Sequence, residues 1–181
     1  VDEHPRAGAT IESLRKLPLV FEPVDGRQGI ITAGTSSGIT DGGAAVVLAS
    51  GTEVKARSLT PLARISGWTT TGVDPRIMGI GPVPAVRKLL DRTGLRLADF
   101  DLVEINEAFA PQVLAVLKDL PIDPARVNVN GGAIALGHPI GATGARIVVT
   151  LLHEMVRRGA KRGLATLCVS GGLGMAMAIE R

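Results

Sequence analysis

Residues 101–120 read DLVEINEAFAPQVLAVLKDL, and this stretch decides the fold. Asp101 to Ile105 is a short apolar run of strand length. Two polar residues follow, and then the period changes: Phe109, Val113, Val116 and Leu117 recur at helical spacing across Glu107 to Leu120. A strand that feeds a helix within twenty residues is half of a βαβ unit. The same alternation extends outward on both sides. Upstream, Pro82 to Thr93 reads as a helix with Val83, Val86, Leu89 and Leu90 on one face, bounded by proline at its start and Gly94 after its end. Leu62 to Trp68 and the small apolar run Ala44 to Ala49 read as strands, the latter buried. Downstream, Arg126 to Val129 reads as a strand and Gly141 to Arg158 as a helix with the stripe Ile147, Val148, Leu151, Leu152 and Met155. Gly163 to Val169 and Met175 to Ile179 are strands joined by a glycine turn, close enough to form a hairpin. The pattern implies an α/β fold with a mainly parallel sheet.

Residues 1–29 differ from this pattern. Pro5, Gly8, Pro18, Pro23 and Gly26 interrupt them, and only Thr10 to Lys16 has helical character, so they read as an irregular lobe or linker ahead of a domain at 30–181. The chain starts Val1-Asp2-Glu3, as a processed chain or a piece of a longer one does. Of the 181 residues 45% are hydrophobic, enough for a substantial core, and only 2% are aromatic, so that core is aliphatic. The net charge of +3 is carried by scattered basic residues without an aromatic platform, which argues against nucleic-acid binding; a basic surface suits a phosphorylated substrate. With Cys168 as the one cysteine, no intrachain disulfide forms and a reducing, cytoplasmic setting is expected. No apolar run has the length of a membrane span, so no membrane role is expected.

Three segments place polar residues at strand ends beside turns, where open α/β sheets bind ligands. Asn106 and Glu107 follow a strand. Asn106 reads either as a helix N-cap, the better fit to the local sequence, or as an amide that holds a water or a carbonyl oxygen. Residues 128–146, NVNGGAIALGHPIGATGAR, set His138 between Gly137 and Pro139 just before a helix start. The phosphate-loop pattern G-x-x-x-x-G-K-[ST] is absent from them. Cys168 ends a strand and opens the turn Ser170-Gly171-Gly172; it is either a small buried hydrophobe or a reactive thiol. One cysteine and three histidines without ligand spacing argue against a metal site, and none is expected.

In order and spacing, residues 106–110 (NEAFA), 131–144 (GGAIALGHPIGATG) and Cys168 with its glycine turn resemble the thiolases. Residues 32–45 (TAGTSSGITDGGAA) and 74–84 (DPRIMGIGPVP) are similar to motifs of the same family, so the resemblance covers essentially the whole chain. It implies a thiolase-like C-terminal domain, with helices on both faces of a mixed sheet, preceded in residues 1–29 by the tail of the family's CoA-binding loop domain. It implies a CoA-dependent acyltransferase of the acetyl-CoA acetyltransferase or acetyl-CoA C-acyltransferase kind, with coenzyme A or acetyl-CoA as substrate and no tightly bound cofactor. The residues GHPIGA lean toward the biosynthetic, short-chain type.

By the same resemblance, Cys168 is the acid/base that moves the proton at the acetyl α-carbon, and His138 activates the nucleophile and donates to the thioester oxygen. Asn106 holds a water beside His138, completing an oxyanion hole. A second hole uses the backbone N–H of Ser170, where the family commonly has glycine. Ser37 contacts the pantetheine arm, and Arg6 and Ser13 lie near the CoA nucleotide. Phe109 lines the acetyl pocket or packs its helix, and Glu107 supports the site or charges a helix start. The family's nucleophilic cysteine belongs to an N-terminal half outside these residues. The resemblance therefore implies a partner for this chain, the missing half or a separate polypeptide, and a homo-oligomer. The alternative is a non-catalytic CoA- or acyl-CoA-binding protein derived from a thiolase half.

Overall fold

The computed structural model describes residues 4–181. Ten elements follow in chain order: α1 (Ile11–Leu14), α2 (Gly51–Ala56), β1 (Arg64–Gly72), α3 (Pro82–Thr93), β2 (Leu102–Ile105), α4 (Ala110–Asp119), α5 (Ala133–Leu136), α6 (Thr143–Arg158), β3 (Arg162–Val169) and β4 (Leu173–Glu180). The four strands form one sheet in the order β1-β4-β3-β2. β2 and β3 are parallel, while β4 is antiparallel to both β3 and β1. Three strands thus share a direction, as the alternation of elements implies. The short β3–β4 turn forces β4 to run the other way, and because β4 lies between β1 and β3, two of the three ladders are antiparallel. Gly171 and Gly172 make that turn at φ values of 83° and 87°, a region that residues with a Cβ rarely adopt.

Alternation along the strands sends side chains to two covered faces. On one, Val83, Val86 and Leu89 of α3 and Val113 and Val116 of α4 pack on Val103, Ile105, Leu164 and Ala178. On the other, Ile147, Leu151 and Met155 of α6 pack on Leu102, Ala165 and Ile179. Each large side chain buried this way contributes about 1.5–3 kcal/mol. α3 begins with prolines and ends at Gly94 in the left-handed conformation, at the boundaries read from its sequence.

Three expected elements take a different form. Residues 44–49 belong to no strand among the described residues, and they are largely open to solvent, Val47 97% exposed. A strand needs a neighbouring backbone to pair with, and none of the described residues provides one. The helix expected from Glu107 starts three residues later, because Phe109 is extended and pairs with Ser36. The strand expected over 126–129 shrinks to one bridge, Val103 with Val127. Asn128 turns left-handed there (φ 46°), and its carboxamide takes over the next ladder step, accepting from Ile105 N and donating to Ile105 O, each at 2.8 Å.

Candidate active site

β2 and β3 run parallel, so their carboxyl ends lie side by side. Ile105 pairs with Thr166, and the next backbone N–H, that of Asn106, donates to Thr166 O at 3.0 Å. Cys168 stands two residues further along β3, opposite Gly174 of β4. Asn106 and Cys168 therefore share one end of the sheet. Asn106 is 1% exposed, and neither atom of its carboxamide has a hydrogen-bond partner among the described residues. It does not cap α4, whose cap position is Phe109. A buried amide left unpaired costs about 1–3 kcal/mol, and capping of α4 does not offset that cost. Cys168 is 8% exposed. Burial pushes its thiol above the ordinary range, so it stands protonated.

His138 is brought to this edge by a segment far upstream. Its backbone N–H donates to Gly38 O at 2.8 Å, and Ile39 and His138 form a parallel bridge. The preceding residues turn to the Asn106 loop: Ser37 donates to Ala108 O through both its N–H (3.1 Å) and its hydroxyl (3.2 Å). Segment 36–39 thus lies between the loop at 106–109 and the loop at 137–138. Gly137 makes its close turn at φ 98°, with Thr40 where a Cβ would stand. The imidazole Nδ1 lies 2.6 Å from the hydroxyl of Thr143. Burial, and then the Arg146 guanidinium, hold His138 below the usual histidine range, which keeps it a neutral base near neutral pH.

A second set of groups braces the loops from behind. Glu107 Oε1 accepts from Asn128 Nδ2 at 2.8 Å and Oε2 accepts from Ile134 N at 3.2 Å, linking the end of β2 to the start of α5, which leads to His138. Glu107 does not serve the start of α4, which begins beyond it; it braces the loops and meets the first turn of α5. Glu104 is 3% exposed on β2, with Arg146 of α6 at 3.9 Å. Burial raises its carboxyl to about 7, against the pull of Arg146.

The fold thus gathers Asn106, Phe109, Ser37 and His138 through continuous backbone contacts and sets Cys168 on the adjoining strand end. Ser170 is exposed on the turn that follows. Phe109 is half-buried where the 36–39 segment crosses. Arg6 and Ser13 are exposed in the N-terminal stretch, and the Ser13 hydroxyl is engaged in a reciprocal cap with Thr10. Asn128, Thr143 and the pair Glu104–Arg146 were not singled out from the sequence. Asn128 and Glu104 each had a local signal there, as a polar residue in an expected strand. An open pocket lined by Leu62, Arg64, Glu180 and Arg181 lies at the opposite end of the sheet and holds none of these residues. No helix among the described residues is long and apolar enough to cross a membrane.

Comparison with known proteins matches residues 59–181 to the family model "Thiolase, C-terminal domain" and residues 1–52 to "Thiolase, N-terminal domain". The exposed run 44–49 falls in the second match. Over 179 residues the chain is 58% identical to an acetyl-CoA acetyltransferase of Shinella zoogloeoides, covering 99% of this chain and 45% of that protein. It is 56% identical over 180 residues to a mitochondrial 3-ketoacyl-CoA thiolase of Bos taurus, covering 99% and 44%. Among solved structures, the acetyl-CoA acetyltransferase of Bacillus anthracis superposes with a TM-score of 0.94 at 55% identity, covering 99% of this chain and 44% of that one. Human mitochondrial 3-ketoacyl-CoA thiolase in complex with CoA superposes with a TM-score of 0.89 at 49% identity, covering 99% and 45%. The chain spans less than half the length of these relatives.

Proposed function

The chain belongs to the thiolase family, and from that premise we propose that it supplies the acid/base and oxyanion side of a CoA-dependent acyltransferase whose nucleophilic cysteine comes from an N-terminal half outside these 181 residues. The reaction is the Claisen condensation of acetyl-CoA or its reverse, thiolysis of a 3-ketoacyl-CoA. The observation that carries the reading is the convergence of His138, the Asn106 loop and the Ser37 segment on the strand end that holds Cys168.

In the cleavage direction the acyl group passes to the nucleophilic cysteine, and the bond between the carbonyl carbon and the acetyl α-carbon breaks. The thiol of Cys168, held protonated by burial, gives its proton to that α-carbon. In condensation the proton moves the other way and Cys168 is the base. His138 takes the proton of the nucleophilic cysteine's thiol at a ring nitrogen and then, as a cation, donates to the thioester oxygen. Asn106 supports that donor set through a held water. The loss of one such donor costs on the order of 10²- to 10³-fold in kcat. Ser37 contacts the pantetheine arm, with Arg6 and Ser13 toward the nucleotide. Phe109 borders the acetyl group, and the Ser170 N–H contributes a second oxyanion contact. Residues 1–29 are read as the tail of the CoA-binding loop domain, and the assembled enzyme as an oligomer.

A binding-only role is the second reading. Cys168 is the single cysteine, and its motif is that of the acid/base and not of the nucleophile. Thiolysis of acetoacetyl-CoA, followed by loss of substrate absorbance with free CoA, separates the two. The chain combined with a family N-terminal half is expected to turn over, and His138→Ala or Cys168→Ala to lower kcat by at least about 10²-fold. Full activity in either variant removes that residue from its role. CoA binding with no turnover in the combined preparation establishes the binding-only reading.

A further inference from the structure

The contacts around His138 include one that the catalytic reading leaves unused. Thr143, the first residue of α6, is fully buried, and its hydroxyl has two close neighbours. One is His138 Nδ1 at 2.6 Å and the other is Pro139 O at 3.0 Å. A hydroxyl has one proton to give. If it is given to Nδ1, the hydroxyl oxygen faces the carbonyl oxygen at 3.0 Å with no hydrogen between them. If it is given to Pro139 O, the Thr143 oxygen is free to accept, and Nδ1 must carry the hydrogen that it accepts. Only the chain Nδ1–H to Oγ1–H to O=C makes both contacts hydrogen bonds. The carbonyl is itself fixed, since it also accepts from Ala142 N at 2.7 Å and Thr143 N at 2.8 Å.

From this geometry we infer that Thr143 is a positioning residue that locks His138 in the Nδ1–H tautomer and so presents the Nε2 lone pair as the base. Nε2 has no hydrogen-bond partner among the described residues. The arrangement works in both charge states of the ring. A proton taken from a thiol goes to Nε2, Nδ1 keeps its own, and the Thr143 contact is unchanged. The imidazole therefore takes up and returns a proton without turning over. In the opposite tautomer the only lone pair points at Thr143, and the base is lost.

This inference rests on the reading of His138 as base, but its test is independent of turnover. In the chain labelled with 15N-histidine, long-range 1H–15N spectra report which ring nitrogen carries hydrogen, and the His138→Gln spectrum identifies the signal among the three histidines. Above the His138 pKa, the expected result is an Nδ1 shift of the protonated type and an Nε2 shift of the bare type. Thr143→Val, close in shape but without a hydroxyl, is expected to release the ring to the Nε2–H form, and Thr143→Ser to restore Nδ1–H. A bare Nδ1 in the unmodified chain, or Nδ1–H retained in a folded Thr143→Val, overturns the inference. Because the unmodified chain decides on its own, a variant that fails to fold leaves the test intact. A locked tautomer together with absent thiolysis in the chain combined with a family N-terminal half overturns the catalytic reading alone.

Discussion

Glu104 is a carboxyl where the sheet has almost no water, 3% exposed, facing Arg146 from α6 and sharing its surroundings with Glu107 and Glu154. Burial dominates, and it raises the carboxyl from an ordinary 4.5 to about 7. This has a definite sign for stability. Below pH 4.5 the group is protonated in both the folded and the unfolded chain. Between 4.5 and about 7 the unfolded chain releases the proton while the folded chain keeps it, so folding stability falls as pH rises; above 7 the loss is complete. The total is about 3 kcal/mol. Urea denaturation at a series of pH values is expected to show this fall in the parent chain and its disappearance in Glu104→Gln. An identical pH dependence in the two proteins shows that Glu104 titrates alike in the folded and the unfolded chain. The neighbouring Arg146 has two buried nitrogens without a partner among the described residues, so the pair is incompletely compensated.

At the scale of elements, the site depends on how β2 ends. The ladder between β2 and the segment after Arg126 amounts to one bridge, and the carboxamide of Asn128 closes it, with three hydrogen bonds at 2.8 Å to Ile105 N, Ile105 O and Glu107 Oε1. Asn tolerates the left-handed backbone at this position better than most residues. Asn128→Ala is therefore expected to cost about 2–4 kcal/mol, from the unpaired Ile105 groups and from a Cβ residue held at positive φ. Chemical denaturation measures it. A loss below about 1 kcal/mol shows that water replaces the carboxamide and that Glu107 holds the loops without it. The α4 boundary belongs to the same scale. Helical spacing begins at Phe109, but the pairing of Phe109 with Ser36 holds that residue extended, and this frees Asn106 and Glu107 for the site.

For the whole molecule, the chief feature is apolar surface without a cover. Val46, Val47 and Leu48 are exposed along an extended run, and Trp68 and Met175 are exposed on the sheet. The run lies inside the match to the N-terminal family domain, and the chain spans less than half of its relatives. A contiguous apolar strip with free backbone groups favours association. The 181-residue chain is therefore expected to self-associate in sedimentation velocity, and Val47→Asp with Leu48→Asp to shift it toward monomer. A monomeric parent chain shows that this strip finds cover within the chain. The helices α3 and α6, the strand β2 and the β3–β4 hairpin were legible in the sequence, since each follows from side-chain period and turn residues within one element, whereas helices on both faces of the sheet were an implication of the family resemblance. The exposed run was not, since a small apolar stretch has the same composition whether or not its pairing strand is present.

The sequence by itself determined the family and the candidates for the chemistry. His138 between glycine and proline, Asn106 after a strand and Cys168 before a glycine turn are recognisable from local pattern, and so is the family to which they belong. Only the tertiary structure decided how those residues are held. Whether Asn106 caps a helix or faces a site, whether Glu107 charges a helix or braces two loops, and which atom of His138 is engaged all depend on partners distant in the chain. Ser37 meets Ala108 across 71 positions, and Glu107 meets Ile134 across 27. Periodicity reports which face of an element is apolar, because burial of apolar area repeats with the element. A polar group's single hydrogen-bond partner does not repeat, so its identity is settled only when the loops are brought together.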